Sequence, residues 1–106
     1  MNTNLSVEEY AKRTINNMGV AKFFQVFRIT ENFEGPDCFD FMEYLNHIIT
    51  YMTEVLNTNR LPIEQCHRIL ALVHTTKQKY NSTFKYNKTY VMDDFVVELW
   101  RICNGH

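Results

Sequence analysis

The stretch DCFDFMEYLNHIITYMTEVLNTN, residues 37–59, decides the fold class. Cys38, Phe41, Met42, Leu45, Ile48, Ile49, Met52, Val55 and Leu56 recur in it at three- and four-residue intervals. That spacing lays them along one side of an α-helix. A strand, with its period of two, would scatter them over both faces. Gly35-Pro36 breaks the chain just before. Asp37 is the expected N-cap, with Asp40 in the first turn, where the positive end of the helix dipole favours a carboxylate. The pattern stops at Asn57 to Asn59.

Toward the carboxyl end, Pro62 suits the first turn of a second helix, because its missing N–H has no intrahelical partner there. Glu64 shares that turn. Ile63, Cys66, Ile69, Leu70 and Val73 supply its buried side. The pattern fades after Thr76. From Phe84 to Tyr90, polar and aromatic residues alternate around Asn87-Lys88, a spacing that admits a short hairpin near 84–91 and equally a loop or a helix end. A last helix is predicted from about Tyr90 to Ile102. Met92, Phe95, Val96, Leu99, Ile102 and Cys103 face inward, Asp93 and Asp94 lie in the first turn, and Asn104-Gly105 closes it.

Toward the amino end, Ser6 and Glu9 have capping-box spacing. Val7, Tyr10, Ala11, Thr14, Ile15 and Met18 follow at helical intervals. Gly19 ends or interrupts this helix. Val20, Phe23, Phe24 and Phe27 fit a continuation, although Phe23 to Thr30 is rich enough in aromatic and β-branched residues to suit a strand. With no Pro or turn pair to bound a hairpin there, helix is favoured. The fold class is therefore all-α, a compact antiparallel bundle of four to five helices in a single domain, 1–106. Leu45, Ile49, Met52, Ile69, Leu70, Val73, Phe95 and Leu99 form its expected core.

The composition fits such a bundle: 106 residues, 45% hydrophobic and 22% charged. Three cysteines, Cys38, Cys66 and Cys103, are an odd number without metal-motif spacing, which suits a reduced protein. Asn-X-Ser/Thr strings at Asn4, Asn81 and Asn87 would matter only after secretion, and no signal-peptide pattern precedes them. No apolar run is long enough for a membrane span. A cytoplasmic setting and no membrane partner are expected. Asn, Thr, Ile, Lys, Phe and Tyr are plentiful while Gly and Pro number 3 and 2, the bias of AT-rich coding DNA.

No motif for nucleotide binding, nucleophilic catalysis or metalloprotease chemistry occurs. His67 and His74 are seven apart and share a helical face. The adjacent Cys66 diverges from them, and His47 and Cys38 qualify as further ligands by type only. Asp93-Asp94 diverge around a helix and make a poor acid–base pair. The expectation is no enzyme, no metal site and no cofactor.

Charge points outward instead. Between Gln65 and Met92 there is no acid, and Arg68, Lys77, Lys79, Lys85 and Lys88 give +5. Between Glu31 and Glu64, seven acids against Arg60 give −6. Such segregation within a chain of net charge −1 bears on partners rather than on fold. Two surfaces are expected. Tyr44, His47 and Tyr51 fall at i, i+3 and i+7, off the aliphatic stripe and near Glu43 and Glu54, as an exposed aromatic patch on acidic ground. Lys77, Lys79, Lys85, Tyr86 and Lys88, with Tyr80, Phe84 and Tyr90, interleave cations and rings. The expected function is non-catalytic. It is that of a small helical protein that docks on a larger protein machine and modulates or inhibits it. A phage or mobile-element accessory protein acting on host defence or transcription fits the composition. A nucleic-acid-binding regulator using 77–90 is the alternative, and the oppositely charged halves would also let two copies associate.

Overall fold

A computed structural model describes residues 6–33, 38–82, 84 and 87–105, with the backbone alone for Phe27. It is an all-helical bundle, and no strand occurs among the described residues. The helices are α1 (Val7–Met18), α2 (Phe27–Thr30), α3 (Phe41–Thr58), α4 (Ile63–Ser82) and α5 (Lys88–Cys103). Two 3-10 turns, Phe23–Gln25 and Glu31–Phe33, flank α2. The radius of gyration, 13.1 Å, is that of a compact chain of this length.

Short links make antiparallel neighbours of α3, α4 and α5. Phe41 meets Tyr80 at 5.0 Å between ring centroids, and Asn46 meets Lys77, so numbering falls along α4 as it rises along α3. Lys79 likewise meets Asp94 across α4 and α5. α1 differs. Tyr10 lies 5.6 Å from Tyr44, and the Tyr51 hydroxyl donates to Asn16 Oδ1 at 2.6 Å, so α1 runs parallel to α3. The long segment 19–40 carries the chain back to make this possible.

Local signals explain most boundaries. Ser6 caps α1, its hydroxyl accepting from Glu9 N at 3.1 Å. The cap of α3 is Asp40 rather than Asp37. Its Oδ1 accepts from Met42 N and Glu43 N at 2.9 and 3.4 Å, while Asp37 lies outside the described residues. Asn59 ends α3 in the left-handed region, φ 57° and ψ 31°, which asparagine tolerates well. Pro62 sits one residue before α4, and its carbonyl accepts from Cys66 N at 3.0 Å. Gly105, at φ 76°, follows α5 as predicted.

Three expectations need correction. The hairpin near 84–91 does not form where it can be seen, because Lys88 to Val91 already belong to α5. Asp93 and Asp94 are therefore more than a turn inside α5 and do not serve its dipole. Phe23 to Thr30 is neither strand nor one continuous helix but a 3-10 turn followed by a single α-turn. The turn of α2 packs against α5, burying Val26 and Thr30, while Phe24 stays exposed, and no neighbouring edge among the described residues offers a strand ladder.

The core runs through all the long helices, with Leu45, Ile48, Met52, Ile69, Val73, Phe95, Val96 and Leu99 fully buried. Ile49 and Leu70, expected there, are only half-buried at its margin, and Ile63, expected on the buried side of α4, is 57% exposed in its first turn. α3 is central, with α1 on one side and α4 on another. Its buried arc is thus centred nearer Tyr44, Ile48 and Tyr51 than the aliphatic stripe implied, a rotation of roughly 50° about the helix axis.

Candidate functional site

The rotation of α3 removes one expected surface. Tyr44 is 0% and Tyr51 5% exposed, so neither ring forms part of an outward patch. Tyr44 is surrounded by Tyr10, Phe33, Phe41 and Phe95, with centroids 4.7–6.5 Å away. Its hydroxyl makes no hydrogen bond of good geometry among the described residues, although the Thr14 hydroxyl is close enough to act on it electrostatically. Burial pushes its ionisation well above the usual phenol range, with Thr14 opposing and Tyr10 adding to the effect. Tyr51 is held by its bond to Asn16 and lies under Arg60, whose guanidinium carbon is 5.4 Å from the ring centroid. His47 remains at the surface, with Nε2 3.8 Å from Glu43 Oε1.

The second surface divides between two helices. Lys77 and Lys79 occupy the last turns of α4, and Lys88 opens α5. Lys85 and Tyr86 lie outside the described residues. The remaining lysines turn back onto the protein. Lys77 Nζ donates to Asn46 Oδ1 at 2.7 Å, Lys79 Nζ lies 3.9 Å from Asp94, and Lys88 Nζ sits 4.3 Å over the Tyr80 ring. Burial and nearby Asp40 raise the Tyr80 pKa. Phe84 and Tyr90 are exposed beside this cluster. Charge separated along the sequence is therefore partly neutralised in space, because antiparallel α4 and α5 bring the basic Lys79 against the acidic Asp94.

The chemistry-bearing residues stay apart. His67 and His74 are exposed, while Cys66 is buried and its thiol is pushed up by desolvation. Desolvation also raises Cys103, against a hydrogen bond with Gln65. Among the described residues no three His, Cys, Asp or Glu side chains group to hold a metal. No described helix is long and apolar enough to cross a membrane.

An open concavity lies where no site residue was predicted, between α1 and the segment through α2. Tyr10, Arg13, Thr14, Asn17 and Met18 recur at i, i+3, i+4, i+7 and i+8 and form one wall. Ala21, Gln25, Val26 and Ile29 form the other. The open groove has a volume of about 270 Å³. Met18 and Val26 are buried in its floor, and Arg13, Asn17 and Gln25 are exposed along its lip. Asn32 Nδ2 donates to the Tyr10 hydroxyl at 2.8 Å, and burial pushes the Tyr10 pKa up to about 12 against that bond.

α5 holds the second wall in place. Trp100 Nε1 donates to Ala21 O at 2.7 Å, and Asn104 Nδ2 donates to Met18 O at 3.0 Å. Met18 O is one of the carbonyls that an α-helix leaves unpaired at its end. Phe23 meets Trp100 edge-on at 5.1 Å. Pinned this way, the segment leaves Val20, Phe23 and Phe24 84%, 44% and 65% exposed next to the groove.

Two sequence signals would have found this place. From Tyr10 to Ile29 the chain carries Lys12, Arg13, Lys22 and Arg28 and no acid at all. Tyr10, Arg13, Thr14 and Asn17 are also semi-polar residues at helical spacing, forming a second face on α1 beside the apolar one. In comparisons with protein-family models, curated proteins and solved structures, nothing matches this chain.

Proposed function

We propose that the protein is a non-catalytic binding protein that docks on a larger protein and modulates or inhibits it. A phage or mobile-element accessory protein acting on host defence or transcription is the setting we attach to this reading, on the composition alone. The observation that carries it is the cluster Val20, Phe23 and Phe24, exposed on one short segment at the edge of an open groove. Isolated exposed apolar residues are ordinary, but several together beside a concavity are the usual form of an interaction surface. Aromatic side chains of this kind give large contact area for little lost freedom.

A second reading, binding of nucleic acid at the junction of α4 and α5, rests on Phe84 and Tyr90, exposed beside Lys88. It is the weaker one, because Lys77 and Lys79 are already engaged within the molecule.

The test is affinity capture from host lysate with wild type, Phe24→Asp and Lys88→Glu, with and without nuclease. One stoichiometric partner that survives nuclease and Lys88→Glu but is lost with Phe24→Asp is the expected outcome. An anchor at the centre of an interface is worth about 2 kcal/mol or more, enough to abolish capture of a moderate binder. Loss on nuclease treatment or with Lys88→Glu would transfer the function to the second reading. Capture unaffected by either substitution would eliminate both surfaces.

A further inference from the structure

The same groove has a chemistry that narrows the partner, and the following inference rests on the protein-docking reading above. At about 270 Å³ the groove falls just below the roughly 300–1,000 Å³ of pockets that enclose whole small molecules. It is the right size for one or two inserted side chains. Its floor of Met18, Val26 and Ile29 is apolar and favours an apolar anchor. Its lip carries Arg13. Among the described residues, ion pairs use Lys12, His47, Arg60, Lys79 and Arg101, and none uses Arg13, Lys22 or Arg28. With no acid between Tyr10 and Ile29, the segment that builds both walls presents positive charge with no carboxylate of its own to neutralise it.

We propose that the groove between α1 and α2 receives an acidic segment of the partner protein, an apolar side chain of that segment entering over Val26 and Ile29 while a flanking carboxylate pairs with Arg13. The two contacts reinforce each other. The anchor fixes the depth of the segment, and the guanidinium can then take the carboxylate through two parallel N–H···O bonds, a geometry that a lone surface ion pair rarely holds. The positive segment also steers an acidic chain toward the groove and disfavours a basic one.

The probe is a short acetylated and amidated peptide alternating aspartate and leucine, titrated into the full-length ¹⁵N-labelled protein. Expected are amide shifts concentrated at Arg13, Asn17, Ala21 and Gln25, with affinity that weakens as salt rises. Affinity should drop about tenfold or more in Arg13→Glu, which removes a charge-assisted bond and opposes the carboxylate. It should be lost in Asn17→Trp, which fills the groove. Both positions are exposed, so an unchanged melting temperature will show that each variant is folded. A peptide with serine in place of leucine should bind more weakly, and one with lysine in place of aspartate should not bind.

Shifts centred elsewhere, equal binding of the lysine peptide, or indifference to both variants would overturn the proposal. So would concentration-dependent groove shifts without peptide, which would make a second copy the occupant. If the captured partner is lost with Phe24→Asp but retained by Arg13→Glu and Asn17→Trp, this inference fails while the docking function stands.

Discussion

Replacing Asn104 by Ala tests whether the carboxyl-terminal helix holds the amino-terminal third of the molecule in place. Asn104 Nδ2 is placed for two backbone carbonyls, Met18 O at 3.0 Å and Trp100 O at 2.9 Å, both partly buried. One is local, four residues back along α5. The other ends α1, 86 residues away in sequence. Both carbonyls keep a backbone donor, Ala21 N at 3.3 Å on Met18 O and Asn104 N at 3.0 Å on Trp100 O, so the loss is of two side-chain hydrogen bonds, each contributing about 1 kcal/mol net. The substitution should therefore destabilise by about 2 kcal/mol. Unfolding entropy near the midpoint is roughly 2.1 cal/mol/K per residue, or about 0.22 kcal/mol/K for 106 residues, so Tm should fall by about 9 °C. The assay is thermal unfolding by circular dichroism beside Arg101→Ala, which removes an exposed ion pair at 2.7 Å one turn away and should cost no more than about 0.5 kcal/mol. Amide shifts in Asn104→Ala should also spread to residues 18–26, because the lost bond ends α1 and borders the groove. A fall of less than about 3 °C, or shifts confined to residues 100–105, would refute the idea that α5 positions this segment.

The core makes a contrast at neighbouring positions of one helix: Ile69→Ala should cost about 2–5 kcal/mol and half-buried Leu70→Ala clearly less, by urea denaturation, and equal costs would contradict the burial pattern. Tyr44→Phe removes a buried hydroxyl that makes no hydrogen bond of good geometry among the described residues, and should leave stability unchanged or raise it by about 1 kcal/mol. A loss of more than about 1 kcal/mol would show that the hydroxyl is bonded, with Thr14 as the neighbour to test. Stability should be fully present below pH 10 and fall as pH rises from 10 through 12. The unfolded chain releases the Tyr10 proton near its usual value of 10, while the folded protein keeps it to about 12 and Tyr44 is raised in the same sense. Carbon-13 NMR of labelled tyrosine checks this, and a Tyr10 signal titrating near 10 in the folded protein would refute it.

The legible part of the fold was the part governed by local rules. Ser6, Asn59 and Gly105 mark helix ends because capping needs only a short polar side chain or a tolerated left-handed residue nearby. The apolar spacing of α3, α4 and the second half of α5 was equally plain, since helical periodicity belongs to the chain itself. The site was less legible. Periodicity shows that a helix has an apolar side but not how many neighbours it will meet. Tyr44 and Tyr51 lie just off the aliphatic stripe of α3, where periodicity alone leaves them outside, yet α1 arrives on that side and covers them. The groove was missed because neither wall carries a recognisable motif. Its only traces were the missing acids between Tyr10 and Ile29 and the second, semi-polar face of α1.

The sequence by itself determined that this protein is all-helical, where its long helices lie, and most of the aliphatic residues that leave water, though not the burial of Ile49, Ile63 and Leu70. Each of these follows from the 3.6-residue repeat and from capping chemistry within a few residues. Only the tertiary structure decided that α1 runs parallel to α3, that the lysines of α4 and α5 fold back onto Asn46, Asp94 and Tyr80, and that Val20, Phe23 and Phe24 stay outside. Those outcomes depend on contacts such as Trp100 with Ala21 and Asn104 with Met18, which join residues 79 and 86 positions apart. Such contacts exist only once the helices have packed, because the free energy of a bond between distant residues is not encoded in the neighbourhood of either one.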